Sequence, residues 1–289
     1  MHYLSIIYAL LLCNPLYSQP PFPYDLDRAE LVGELDHILE EISGLSLNGN
    51  ELLAIQDEDG IVFRLSLTDG SILETINFGD EGDYEGVERV GEYIYVLKSS
   101  GTLYRIGNVG TADRHVDKFN GFLNGDNDVE GLAYDRAGNR LLLACKAPDI
   151  SPDARHIYAF DLATHTFQRE PVMAVTKDEI QAFLASCNPT AQHAAICDFF
   201  SEEDRYRLGP SALAIHPTTG QYYLTSSRGK LLVVMSPSGR IQYVFRLDTD
   251  YFPQPEGLAF GADGSLYIST EAKSGEAARV WRVPLKGSK

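Results

Sequence analysis

The 289-residue sequence predicts an all-β fold, a single β-propeller of five blades closed by an N-terminal strand. Three observations carry that expectation. A short phrase recurs as Asp83-Tyr84-Glu85-Gly86-Val87, Asp128-Val129-Glu130-Gly131-Leu132 and Gln254-Pro255-Glu256-Gly257-Leu258, with weaker copies at Ile42-Ser43-Gly44-Leu45 and Pro210-Ser211-Ala212-Leu213. Its anchors at 43, 85, 130, 211 and 256 stand 42, 45, 81 and 45 residues apart, and a strand-rich repeat of about 40–50 residues marks a radial β-array. Between the anchors run short alternating strands punctuated by Asn, Asp and Gly turns, the signature of antiparallel hairpins. The last unit is one strand short, and an N-terminal strand that supplies it would leave no open sheet edge.

Taken in order, residues 1–18 read as a signal peptide. The apolar run from Met1 to Leu12 is too short to span a bilayer and suits a leader core, with cleavage near Ser18–Gln19. Lipid anchoring at Cys13 is the lesser alternative, because Leu12 is a poor residue before a lipidated cysteine. The expected location is therefore secreted or periplasmic. A Pro-rich linker follows at 19–27, then the propeller at 28–285, with Leu31–Leu35 as the closing strand.

The first unit is read as strands at Gly44–Leu47, Glu51–Gln56, Ile61–Leu67 and Ser71–Phe78. Tyr93–Lys98 and Thr102–Ile106 are the middle strands of the second. The third has Arg140–Lys146, His156–Asp161 and Phe167–Val175. Ala212–His216, Gln221–Ser226, Leu231–Ser236 and Ile241–Leu247 form the fourth, and Gly257–Phe260, Ser265–Thr270 and Arg279–Pro284 the fifth. The 81-residue gap holds an insertion at about 176–208: a short helix from Thr176, capped by a Thr176/Glu179 box, and a loop bracketed by Cys187 and Cys197. A sixth blade stays open if that insertion is a disguised repeat. A disulfide between Cys187 and Cys197 is a further expectation in an oxidising compartment.

Composition narrows the function. With 24 Lys+Arg against 41 Asp+Glu the formal charge is −17, which disfavours nucleic acid and anionic lipid as partners and suits cations or basic ligands. No segment beyond the leader is apolar enough for a transmembrane helix. A monomer is expected. No Cys/His spacing forms a zinc site, and there is no phosphate loop, Gly-x-Ser-x-Gly elbow or zinc-protease helix.

In a propeller the first strand of each blade lines the central channel, and the loop into it shares a face with the end of the second strand. Two rings should therefore meet at one channel mouth. The inner ring is Ser43, Glu85, Glu130, Ser211 and Glu256. The outer is Asp57, Lys98, Lys146, Ser226 or Ser227, and Glu271; the two together carry a net charge of −3. Three glutamates converging on one channel need compensation. A bound Ca²⁺ at Glu85, Glu130 and Glu256 would supply it, as would pairing with Lys98 and Lys146, or carboxyls kept protonated. Blade closure alone is the other reading of the glutamates, and the Gly after each suits close strand packing. The insertion enters a first strand and so belongs to the same face, as a lid, a docking element or surface decoration.

The ordered set of phrases, including Glu130-Gly131-Leu132-Ala133-Tyr134-Asp135 and Pro210-Ser211-Ala212-Leu213-Ala214-Ile215-His216-Pro217, resembles the SdiA-regulated (YjiK-like) β-propeller family over about residues 28–285. That resemblance implies a cell-envelope propeller, related in fold to NHL-repeat and gluconolactonase-type propellers, with a calcium connection suspected in some members. The family's polar positions fall on Ser43, Glu85, Glu130, Ser211, Glu256 and Glu271. Lys98-Ser99 and Lys146-Ala147 depart from its more acidic pattern, which weakens the case for strong calcium binding.

Three functions follow as expectations. The first is a secreted or envelope-associated binding propeller whose acidic mouth holds a cation, a small ligand or an envelope protein. The second is a calcium-assisted hydrolase of the gluconolactonase-like type, for which no nucleophile–base pair is visible in the sequence. The third is an interaction scaffold in the cell envelope.

Overall fold

The computed structural model describes residues 21–186, 196–200, 206–273 and 275–287. The expected leader, Cys13 and Cys187 lie outside the described residues, and so does the expected disulfide.

Five four-stranded antiparallel sheets form a ring. Blade 1 holds β2 (Ile42–Asn48), β3 (Glu51–Gln56), β4 (Ile61–Ser66) and β5 (Ile72–Asn77), after the closing strand β1 (Glu30–Glu34). Blade 2 holds β6 (Tyr84–Val90), β7 (Tyr93–Lys98), β8 (Leu103–Gly107) and β9 (His115–Phe119); blade 3 holds β10 (Val129–Asp135), β11 (Arg140–Cys145), β12 (Ala154–Asp161) and β13 (Thr166–Thr176). Blade 4 holds β14 (Pro210–Ile215), β15 (Tyr222–Ser226), β16 (Leu231–Met235) and β17 (Ile241–Arg246). Blade 5 holds β18 (Pro255–Phe260), β19 (Leu266–Thr270) and β20 (Arg279–Val283), and its fourth strand is β1. The ring closes with five blades, as the repeat count predicts, and the insertion is not a sixth.

Each middle strand is buried on both sides because it faces two neighbouring blades. In β3, Leu52 and Ala54 join the core shared with blade 5, while Leu53 and Ile55 join the core shared with blade 2. The period-2 alternation of a strand sends odd and even side chains to opposite faces, and here both faces are apolar. Five such cores, one per blade interface, replace a single central core.

Closure is fixed from outside the ring. β1 pairs with β20, and Arg279 and Arg282 bond Glu34 and Glu30 across that seam. The Pro-rich stretch packs down before it: Phe22 and Tyr24 are buried between blades 4 and 5, and the Tyr24 hydroxyl donates to the Gly264 carbonyl at 2.5 Å.

The insertion opens with α1 (Lys177–Ser186). The expected capping box is formed, with Thr176 Oγ1 accepting from the Glu179 N–H while the Glu179 carboxylate accepts from Thr176. Ile180, Leu184, Ile196, Phe200, Tyr206 and Leu208 are buried in the core between blades 3 and 4. The described part of the insertion is thus neither a free lid nor loose decoration, but a wedge in a blade interface. Arg155 pins its return limb, donating to the Tyr206 carbonyl at 2.8 Å and stacking on that ring.

Candidate functional site

The strand order brings the starts of β2, β6, β10, β14 and β18 and the ends of the second strands to one face. At each start the pairing register slips: between Ile42 and Gly44, Tyr84 and Gly86, Val129 and Gly131, Pro210 and Ala212, and Pro255 and Gly257. The residue left out of the ladder is Ser43, Glu85, Glu130, Ser211 or Glu256. A β-bulge frees one residue from pairing and re-aims its side chain, so all five inner-ring positions are bulge residues.

The residue after each bulge explains the Gly of the phrase. A Cβ on Gly86 would stand 2.7 Å from the Leu132 Cβ, on Gly131 3.0 Å from the Leu213 Cβ, and on Gly257 2.7 Å from the Leu45 Cβ. Each Gly therefore receives the aliphatic residue of the next blade's phrase, which leaves a cavity of only about 10 Å³ among Ser43, Glu85, Glu130 and the aliphatic side chains. That is room for about one water. The mouth is a shallow acidic depression over an apolar floor.

This floor sets the electrostatics. Burial, then the Glu130 charge, pushes the Glu85 carboxyl up to about 10, with a hydrogen bond to Asp83 acting the same way. Burial holds Glu130 above the ordinary carboxylate range while the Lys146 ammonium pulls it back. The Lys146 Nζ bonds Glu130 Oε1 directly, and Lys146 stays above its ordinary value because Glu130 outweighs its burial. Burial and Glu271 push Glu256 up to about 7, against a hydrogen bond from Ser227. Burial, then Asp57 and Glu41, brings Glu271 to about 7, and burial, then Glu41 and Glu58, brings Asp57 to about 6. Lys146 acts on Glu85, Glu130, Glu256 and Glu271 together. It is the hub cation of the mouth.

The other candidates divide. Lys98 lies over the Tyr84 ring, 5.1 Å from its centroid, and forms no ion pair among the described residues. Ser211 is a staple between blades, its Oγ donating to the Pro255 carbonyl at 2.6 Å. Ser43 Oγ donates to the Glu41 carbonyl at 3.2 Å. Ser226 is fully buried, accepting from the Gly209 N–H and donating to the Arg228 carbonyl. Ser227 is the one that reaches Glu256.

Sequence reasoning missed Lys230. Burial and Lys273 lower it, while Glu256 and Glu271 oppose that. Its turn is gripped by the insertion, for Phe199 covers Gly229, where a Cβ would meet the ring at 2.5 Å. Two left-handed residues, Gly229 and Lys230, make that turn, and a Gly-Lys pair between two strands was its only sequence signal.

Two buried acceptors at the mouth have no donor: Glu130 Oε2 and Asp57 Oδ1. Buried polar atoms without partners are uncommon and costly. Both are oxygens of acids and fit a hard cation. Against a closed calcium cage stand Lys146, already among the carboxylates, and the absence among the described residues of any three acidic, His or Cys side chains grouped to hold a metal ion.

The sequence model of a family described as SdiA-regulated matches residues 22–273. Among solved structures, the glutaminyl cyclase of Myxococcus xanthus is similar at 13% identity, with 89% of this chain and 98% of that chain covered and a TM-score of 0.55. A protein of unknown function from Bacteroides thetaiotaomicron is similar at 13% identity over 85% of this chain and 56% of that chain, with a TM-score of 0.50. At such identities the likeness is one of fold.

Proposed function

The chain belongs to the SdiA-regulated family, and from that premise we propose that it is a secreted or envelope-associated binding propeller whose mouth takes a small cationic ligand, either Ca²⁺ or an organic ammonium group. The observation that carries this reading is the pair of buried acceptors, Glu130 Oε2 and Asp57 Oδ1, within a ring whose carboxyls are held above their ordinary range. A ring of this kind holds its protons tightly, first because burial disfavours the carboxylates and next because they repel one another. A cation entering the depression offsets that repulsion, and the raised carboxyls lose their protons in exchange. A divalent ion would bring a second positive charge beside Lys146; an ammonium group would bring donors for the two orphaned oxygens.

Calorimetric titration with CaCl₂ and, separately, with putrescine tests the reading. Saturable binding with proton release is expected for one of them, lost in the Glu85→Gln/Glu256→Gln double variant. Binding of neither, or binding that the double variant retains, overturns it. Secretion is supported by the short apolar run at 1–12, and an unprocessed Met1 N-terminus on exported material would refute the cleavage.

A second reading, acid–base chemistry, is favoured by one feature: burial raises both Glu85 and Glu130, but the Lys146 ammonium bonded to Glu130 pulls that one back more strongly, and two groups with separated proton affinities are what such chemistry uses. Turnover of lactone or phosphodiester substrates, lost in Glu85→Gln, is its test.

A further inference from the structure

A cavity lies at the other face, away from the acidic mouth. It has a volume of about 410 Å³ and opens between blades 1 and 2, beside Asn48 at the far end of β2 and the β8–β9 loop at Asn108–Thr111. Ligand sites fall in this range, roughly 300–1,000 Å³.

Two guanidinium groups line it, and their circumstances differ. Arg64 is paired with two carboxylates, its Nε and Nη2 on Glu51 at 2.7 and 2.9 Å and its Nη1 on Glu74. Arg89 spends Nε on the Gly91 carbonyl at 2.7 Å, and among the described residues it forms no ion pair. Its backbone N–H goes to Glu88, whose carboxylate also accepts from Ser46 and so is committed elsewhere. Glu92 is the acid beside it, exposed at the rim and outside ion-pair distance. Burial and Arg64 both disfavour the Arg89 charge, so this cation is partly desolvated and unneutralised in a chain of net charge −17.

Asn48, Glu92, Asn108 and Thr111 make the polar part of the remaining wall, and three aliphatic side chains make the rest. Ile76 and Ile94 belong to the core between blades 1 and 2, and Val109 packs against it. A fork of guanidinium donors beside an aliphatic floor is complementary to a carboxylate on a hydrocarbon chain. Arg presents two parallel N–H groups to such a group, and the chain covers the apolar surface. We infer that the groove between blades 1 and 2 binds a small amphipathic carboxylate, with Arg89 holding the carboxylate and Ile94 and Val109 the chain. This site is independent of the mouth and of the sign of charge bound there.

Hexanoate is the probe, titrated into isotope-labelled protein at pH 7 and followed by amide shifts, with acetate, hexan-1-ol and hexylamine as controls. Hexanoate is expected to give saturable shifts at Ile94, Asn108 and Val109 and none at Gly131 or Gly257 in the mouth. Arg89→Gln is expected to weaken binding about tenfold or more, Arg89→Lys to weaken it less, and Glu92→Gln to strengthen it. Folding of each variant is read from the same spectra. No saturable shift in the groove, equal binding by hexylamine or hexan-1-ol, or equal affinity in Arg89→Gln would overturn the inference.

Discussion

Replacing Glu256 by Gln should stabilise the protein at pH 8 and leave it unchanged at pH 5. The Glu256 carboxyl titrates near 7 in the folded chain rather than at its ordinary 4.5, chiefly because it is buried and next because Glu271 repels its charge. The folded state therefore holds this proton more tightly than the unfolded one. Stability is full below pH 4.5 and falls as pH rises through 7, because folding then forces an ionised carboxylate into the ring. At about 1.36 kcal/mol per pH unit the full effect is about 3 kcal/mol. Partial solvent contact and relaxation reduce it to about 1–2 kcal/mol. Gln keeps the shape and the acceptor for Ser227 but carries no charge. For a chain of this size the gain at pH 8 corresponds to a rise in Tm of about 2–4 °C. Urea unfolding and calorimetry at pH 5, 6, 7 and 8, at constant ionic strength, read it directly. If Glu256→Gln is less stable than the parent at every pH, Glu256 is a closure residue and the reasoning fails.

Removing the hub cation should do the opposite. Lys146→Met strands Glu130, whose side chain is 6% exposed, at a cost of about 3 kcal/mol at pH 8; the cost should shrink at pH 5, where Glu130 can take a proton, and urea unfolding at the two pH values checks this. Gly257→Ala drives a Cβ to 2.2 Å from Ser269 Oγ and 2.7 Å from the Leu45 Cβ, so thermal unfolding should report a loss of about 1–3 kcal/mol. Gly125→Ala, with nothing within 4 Å, is the matched control and should be close to neutral.

The blades were legible because each strand obeys a local rule. Arg140–Cys145 and Leu231–Met235 are near-continuous apolar runs between turn residues, and the five-unit count needed only their spacing. The closing strand was legible because blade 5 ran out of chain. The bulges were not, since nothing in Glu-Gly-Leu says that the Glu leaves the ladder; that follows from the neighbouring blade's Leu filling the space beside the Gly. Lys146 was placed in the outer ring but not as its hub, because its reach toward four carboxylates is a property of the closed ring. Lys98, expected at the same level, stands one residue earlier: it pairs with Tyr84 as Cys145 pairs with Val129, so the counterpart of Lys146 in blade 2 is Ser99, and Lys98 lies over the Tyr84 ring. That one-residue difference in register puts Lys146, and not Lys98, beside the bulge glutamate of its own blade.

Closure and ligand binding looked like rival explanations of one phrase, but they fall on different residues of it. Closure belongs to the Gly, which admits the next blade's aliphatic side chain, and to Ser211, which bridges blades 4 and 5. Each neighbouring Glu is released from its ladder by the bulge. If a carboxylate there were needed only to hold blades together, a serine placed as Ser211 is would be the cheaper solution, since its hydroxyl bridges blades without a buried charge. Glu85, Glu130 and Glu256 are instead raised first by burial and next by a neighbouring carboxylate (Glu130, Glu256 and Glu271 in turn), around a single lysine. Closure by glycine and serine leaves the raised proton affinities of the three glutamates as the part of the phrase that the proposed cation site would use.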